Sequence, residues 1–83
     1  MKTIVFTKQA AKELDALPED ARDAIMEGLV AYATSGLGDV KRLQGNDMFR
    51  LRVGRYRVIF DEDRTTVLAV YVGKRETTTY RSN

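Results

Sequence analysis

The sequence has no cysteine, no histidine, no tryptophan and a single proline. Without cysteine there is no disulfide framework, no thiol nucleophile and no zinc site built from thiolates. The missing histidine excludes more: the Ser-His-Asp triad, the commonest general base and the commonest metal ligand. No apolar run approaches the ~18 residues that would span a bilayer. The opening MKTIVFTKQ is too short an apolar stretch for a signal peptide, so a cytoplasmic protein is expected. The glycines form neither a phosphate loop nor a dinucleotide fingerprint. Asp61-Glu62-Asp63 lacks further ligands at calcium-loop spacing and reads as a hairpin turn. No metal, cofactor or small-molecule ligand is expected.

What is present is a small globular chain of 83 residues, 43% hydrophobic and 31% charged, read as one domain over 1–83. A chain this size hides only ~60–65% of its unfolded surface, so the core is thin. The net charge of +2 conceals a division: residues 1–40 carry net −3 and residues 41–83 net +5. The second half is therefore the candidate anion-binding half. Its densest stretch holds Arg50, Arg52, Arg55 and Arg57 with no acid among them. Arg offers a planar fork of donors suited to phosphate and to stacking on bases.

The N-terminal half predicts a strand at Thr3 to Phe6, then a helix capped by Thr7 with Ala10, Ala11, Leu14 and Leu17 as its buried stripe. Pro18 punctuates the chain. A second helix follows, with Glu19, Asp20 and Asp23 at its start and Ile25, Leu29, Tyr32 and Ala33 on its apolar face. Ser35, Gly36 and Gly38 end it. The second half predicts strands at Met48 to Val53 and Tyr56 to Phe60, joined by a two-residue turn at Gly54-Arg55. A polar turn from Asp61 to Thr65 leads to a β-branched strand at Thr66 to Val72. The expected fold is α+β: an antiparallel sheet with an N-terminal helix hairpin on one face, in the order β-α-α-β-β-β.

Pairing outward from Gly54-Arg55 sets Val53 opposite Tyr56, Arg52 opposite Arg57, Leu51 opposite Val58, Arg50 opposite Ile59 and Phe49 opposite Phe60. The apolar pairs share one side and would meet the helices. Arg50, Arg52 and Arg57 share the other. Arg52 directly opposite Arg57 destabilises an isolated sheet, and the missing counter-charge points to an anionic ligand; a solvated face with splayed arginines is the alternative. Parity along the last strand makes Leu68, Val70 and Val72 core and puts Arg75 on the arginine face with Ala69 and Tyr71. Tyr80, near the end of the chain, can stack on a base or hydrogen-bond a phosphate, or simply patch the core. Tyr32, Phe6, Phe49 and Phe60 fall at core periodicity.

The hairpin FRLRVGRYRVIFDED, the strand VLAVYVGKRE and the closing Tyr80, with an N-terminal half that starts its helices as TKQAAKELDALPEDAR, resemble the RelE branch of the RelE/ParE toxin superfamily. The resemblance covers nearly the whole chain. It implies the toxin of a type II toxin–antitoxin module: an endoribonuclease that enters the ribosomal A site, contacts rRNA and cuts the displayed mRNA codon. The implied chemistry is metal-independent attack of a 2′-hydroxyl on the adjacent phosphate. The family's basic pair falls on Arg50 and Arg52, the arginine after the hairpin Tyr on Arg57, that of the GKR motif on Arg75, and the C-terminal tyrosine on Tyr80. A cognate antitoxin, acidic along its binding segment, is the implied protein partner.

The composition fits such chemistry. Metal-free phosphoryl transfer needs positive donors where charge builds on the phosphorane oxygens, the role given to Arg57 and Arg75. It needs the 2′-hydroxyl held in line, a task for Tyr80 and the arginines. Arg50, Arg52, Arg55 and Lys74 are assigned to RNA binding. An arginine stays protonated and is a poor base, so Arg50 and Arg52 suit phosphate holding. Proton transfer falls to a Tyr or Lys, or is shared with ribosome and solvent. Two other readings stay open: a ParE-like toxin that inhibits DNA gyrase without cutting RNA, and a non-catalytic nucleic-acid-binding module.

Overall fold

A computed structural model describes residues 1–45 and 47–74. It contains strand β1 (Thr3–Phe6), helices α1 (Lys8–Asp15) and α2 (Glu19–Ser35), and strands β2 (Asp39–Arg42), β3 (Phe49–Val53), β4 (Tyr56–Glu62) and β5 (Thr66–Lys74). The Thr7 hydroxyl accepts from the Ala10 N–H at 3.1 Å and starts α1. Pro18 precedes α2, and Glu19 and Asp20 place negative charge on its first turn. Gly36 ends α2 in the left-handed conformation (φ 74°), its N–H donating to the Tyr32 carbonyl.

The strands form one five-stranded sheet in the order β1-β5-β4-β3-β2. Two features of the strand arrangement depart from the sequence expectation. The sheet is mixed: β1 runs parallel to β5, from Thr3 opposite Thr66 to Phe6 opposite Ala69. These neighbours are far apart in the chain, and the long connection through both helices serves as the crossover that a parallel pair requires. The second departure is β2, a short edge strand that reads DVKR and pairs with β3. With one apolar residue in four it carries almost no hydrophobic signal.

The β3–β4 register is the expected one, pair for pair, from Val53–Tyr56 to Phe49–Phe60. The turn between them has a positive φ (59°) at Gly54 and at no neighbouring residue, the geometry that glycine at the first turn position allows. Both helices pack on the side that carries Leu51, Val58 and Phe60. These residues, with Ala10, Ile25, Leu29, Ala33, Val67, Ala69 and Val72, form the buried core. Ala11 is exposed, so the α1 stripe is narrower than its spacing predicts. Tyr32 and Phe49 pack against Phe60, with ring centres 5.3 and 5.6 Å away.

A register shift in the β4–β5 pairing lies at Ile59/Phe60: Ile59 faces Tyr71 while Phe60 faces Ala69. Val70 is the extra residue, and it reverses the side-chain parity of β5. Val67 and Ala69 are therefore core before it and Val72 after it, while Leu68 turns to the other face and is half-buried. The aliphatic set expected from strict alternation is corrected accordingly. Beyond the end of the β1 ladder, the Glu13 carboxylate of α1 accepts from the Val72 N–H at 2.9 Å. At the opposite end of the sheet, Glu62 accepts from Tyr32 Oη and from Lys2 Nζ, both at 2.8 Å. Burial, then this hydrogen bond, pushes the Tyr32 phenol up to about 12. No described helix is long and apolar enough to cross a membrane.

Candidate functional site

The face of the sheet turned away from the helices carries Lys41, Arg50, Arg52 and Arg57. Two rows run across it. Asp39, Arg52, Arg57 and Gly73 are successive cross-strand partners, and so are Lys41, Arg50, Ile59 and Tyr71. The pleat puts all of them on one side, because the pairs between the rows face the core. Arg50, Arg52 and Arg57 thus converge as their spacing predicts, with Arg52 directly opposite Arg57. Arg55 sits exposed in the turn between β3 and β4. Lys74 pairs with Tyr56, on the register that faces the helices, so it does not join the arginines: with Val72 turned to the core, every second residue follows it. Arg75 and Tyr80 lie outside the described residues.

The counter-charge missing from the sequence reading is supplied in part by β2. Asp39 stands 3.6 Å from Arg52 Nε and 3.8 Å from Arg50 Nη1. Neither distance makes a hydrogen bond. Asp39 is 60% exposed, so these ion pairs are weak. With Lys41 counted, the two rows keep a net charge of +3. Arg50 is held close to the sheet, its side chain 14% exposed. Its Nη1 and the Nε of Arg57 are buried with no hydrogen-bond partner among the described residues. Buried donors normally find acceptors, and two such donors on one face suit an acceptor-rich group. The Arg57 guanidinium lies over the Tyr71 ring, 5.9 Å from its centre. Beside Arg50 a hollow of about 540 Å³ is lined by Lys41, Arg42, Leu43, Gln44 and Arg50.

Asp39, Lys41 and Tyr71 are the members of this face that the sequence reading gave no role. The two β2 residues had no strand to place them. Tyr71 shared a face with the arginines by parity, but its proximity to Arg57 depends on the side-chain geometry. Among the described residues no group of three or more His, Cys, Asp or Glu is placed to hold a metal ion. Of the turn expected from Asp61 to Thr65, Asp61 and Glu62 belong instead to β4, paired with Leu68 and Val67, and the turn itself is held by the Asp63 carboxylate, which accepts from the N–H groups of Thr65 and Thr66 at 2.9 Å. Those bonds hold it below the usual carboxylate range.

Residues 4–78 match the family described as ParE toxin of type II toxin-antitoxin system, parDE. The chain belongs to this family. It is a type II toxin of the RelE/ParE superfamily, and solved structures of that superfamily share its fold. A chain of an archaeal RelE–RelB complex from Pyrococcus horikoshii OT3 is 24% identical, with a TM-score of 0.77 over 92% of this chain and 97% of that one. The isolated E. coli RelE toxin is 23% identical, with a TM-score of 0.77 over 89% and 84%. A chain of the RelBE2 toxin–antitoxin complex from Mycobacterium tuberculosis is 29% identical, with a TM-score of 0.70 over 89% and 98%. No curated protein sequence matches significantly.

Proposed function

We propose that this ParE-family toxin is a ribosome-dependent mRNA endoribonuclease, which cuts codons in the A site by attack of a 2′-hydroxyl on the adjacent phosphate. The observation that carries the reading is the pair of guanidinium nitrogens on Arg50 and Arg57 without hydrogen-bond partners among the described residues, on a face with net positive charge that neither α1 nor α2 covers. A phosphate offers the acceptors these donors lack, and charge-assisted bonds to it are the strong ones. Arg57 stabilises the charge that builds on the phosphorane, together with Arg75. Arg50 and Arg52 hold the flanking backbone, and Tyr80 helps keep the attacking hydroxyl in line. Without histidine the site has a weak acid–base set, so it relies on the ribosome to present a bent codon. A cognate antitoxin with an acidic binding segment covers the arginines between uses. The RelE–RelB complexes of the structural relatives support that partnership.

The test is to map new mRNA 5′-ends on programmed ribosomes after the toxin is added. Wild type should cut within A-site codons, and Arg57→Ala should cut about 10²–10³-fold more slowly, the usual cost of one lost donor at a developing oxyanion. The family match favours a second reading, gyrase inhibition without RNA cleavage. If wild type leaves mRNA intact while gyrase loses supercoiling activity, that reading replaces the first.

A further inference from the structure

We propose that Tyr71 is a positioning residue of the arginine face: it seats the Arg57 guanidinium and gives the base of the bound nucleotide a surface on which to stack. The inference rests on the RNA-binding reading of this face and names the group that orders it.

Tyr71 and Gly73 sit two residues apart on the same side of β5, opposite Ile59 and Arg57 respectively. The phenol does not stand up from its own position. It lies along the strand across Gly73, so that a Cβ there would collide with the Tyr71 hydroxyl and with Cζ, and would come within 3.1 Å of Cε2. The missing side chain of Gly73 is what lets the ring lie there, one strand from Arg57.

Arg57 needs something to hold it. Its Nε is buried without a hydrogen-bond partner among the described residues, and its cross-strand neighbour Arg52 repels it. The attractive contact shown for the guanidinium is the Tyr71 ring, 5.9 Å from centre to guanidinium carbon. A ring contact fixes the plane of an arginine without using its N–H groups, so the donors stay free for a phosphate. Tyr71 as a residue remains 37% exposed, so a base can reach it. An aromatic beside a backbone-holding cation is the arrangement by which single-stranded nucleic acid is bound without sequence preference.

The test reads binding rather than cutting. Short single-stranded RNAs made uncleavable by 2′-O-methylation carry 2-aminopurine at each position in turn, and stacking quenches its fluorescence. Wild type and Tyr71→Phe should bind alike and quench at one position, because the ring and not the hydroxyl acts. Tyr71→Leu should bind about tenfold more weakly and lose the quenching, in the range of one lost base–aromatic stack. Gly73→Ala should behave like Tyr71→Leu by pushing the ring aside, and adding it to Tyr71→Leu should change nothing further. The proposal falls if Tyr71→Leu binds and quenches as wild type does, or if the two substitutions multiply. Absence of any RNA binding by wild type would bring down the RNA reading of the face, and this proposal with it. Normal wild-type binding with an inert Tyr71 would bring down this proposal alone.

Discussion

Asp39 is an acid set among arginines that, on the proposed reading, must receive RNA. Removing its charge without changing its shape should therefore tighten binding. The carboxylate stands 3.6 and 3.8 Å from Arg52 and Arg50 and is 60% exposed, so it contributes only about 0–1 kcal/mol to the fold. A phosphate bonded to either guanidinium would sit about 5 Å from it, where two unit charges repel by ~0.8 kcal/mol in water and ~3 kcal/mol at an effective dielectric of 20. The exposure of Asp39 puts the value near the lower figure, about 1 kcal/mol or fivefold in affinity. Asp39→Asn should thus bind an uncleavable single-stranded RNA about fivefold more tightly at low salt. The gain should fade as the screening length shrinks from ~10 Å at 0.1 M salt to ~3 Å at 1 M. Freeing Arg52 for one more phosphate should also steepen the salt dependence by about 0.7 in log–log slope. Binding that is unchanged or weaker at low salt would refute the reasoning, since the carboxylate would then be arranging the arginines rather than opposing their ligand.

Two further predictions concern the scaffold. Glu13→Ala leaves the Val72 N–H without its acceptor, and should cost about 1–3 kcal/mol, read as a fall in Tm of about 4–8 °C per kcal/mol for a domain of this size. Glu13→Gln, which keeps an acceptor, should cost less; equal Tm values for wild type and Glu13→Ala would refute the bond's contribution. Tyr32 keeps its proton in the folded state up to about 12, whereas the unfolded chain releases it near 10.0. The stabilisation this brings is complete below the lower value and is lost as pH rises through the window between them. Chemical denaturation across that window should show a decline that Tyr32→Phe reduces, and an identical decline in both proteins would refute it.

The parts of the fold legible in the sequence were those with a strong local signal. The β3–β4 register followed from one glycine turn and strict alternation on either side of it. The two helices followed from their apolar spacing and the Thr7 cap. What stayed hidden depends on contacts distant in sequence. The parallel pairing of β1 with β5 is a property of the connection and not of either strand. The β2 strand has three charged residues in four, so its existence depends on the edge that β3 offers. The Val70 bulge broke the parity rule that made Leu68 core, because an extra residue leaves no mark in composition. The site divides in the same way. Arg50, Arg52 and Arg57 could be placed by parity, whereas Asp39 and Lys41 needed a strand that could not be seen. Lys74, read as part of the GKR motif, belongs by register to the opposite side.

The opposed pair Arg52 and Arg57 makes the balance between folding and function measurable. Like charges directly across a sheet cost about 0.2–1 kcal/mol, and the Tyr71 contact that offsets this for Arg57 contributes about 0.5–1 kcal/mol at an exposed site. The two terms nearly cancel, so the fold has little stake in a guanidinium at this position. Arg57→Ala should then shift Tm by no more than a few degrees, while the rate of mRNA cutting falls by the factor of about 10²–10³ expected for a lost donor. A Tm that drops by more than about 8 °C, roughly 1–2 kcal/mol for a domain of this size, would show that Arg57 is held for the sheet's sake. Its buried, unpartnered Nε would then be a cost of packing rather than a place kept for a ligand.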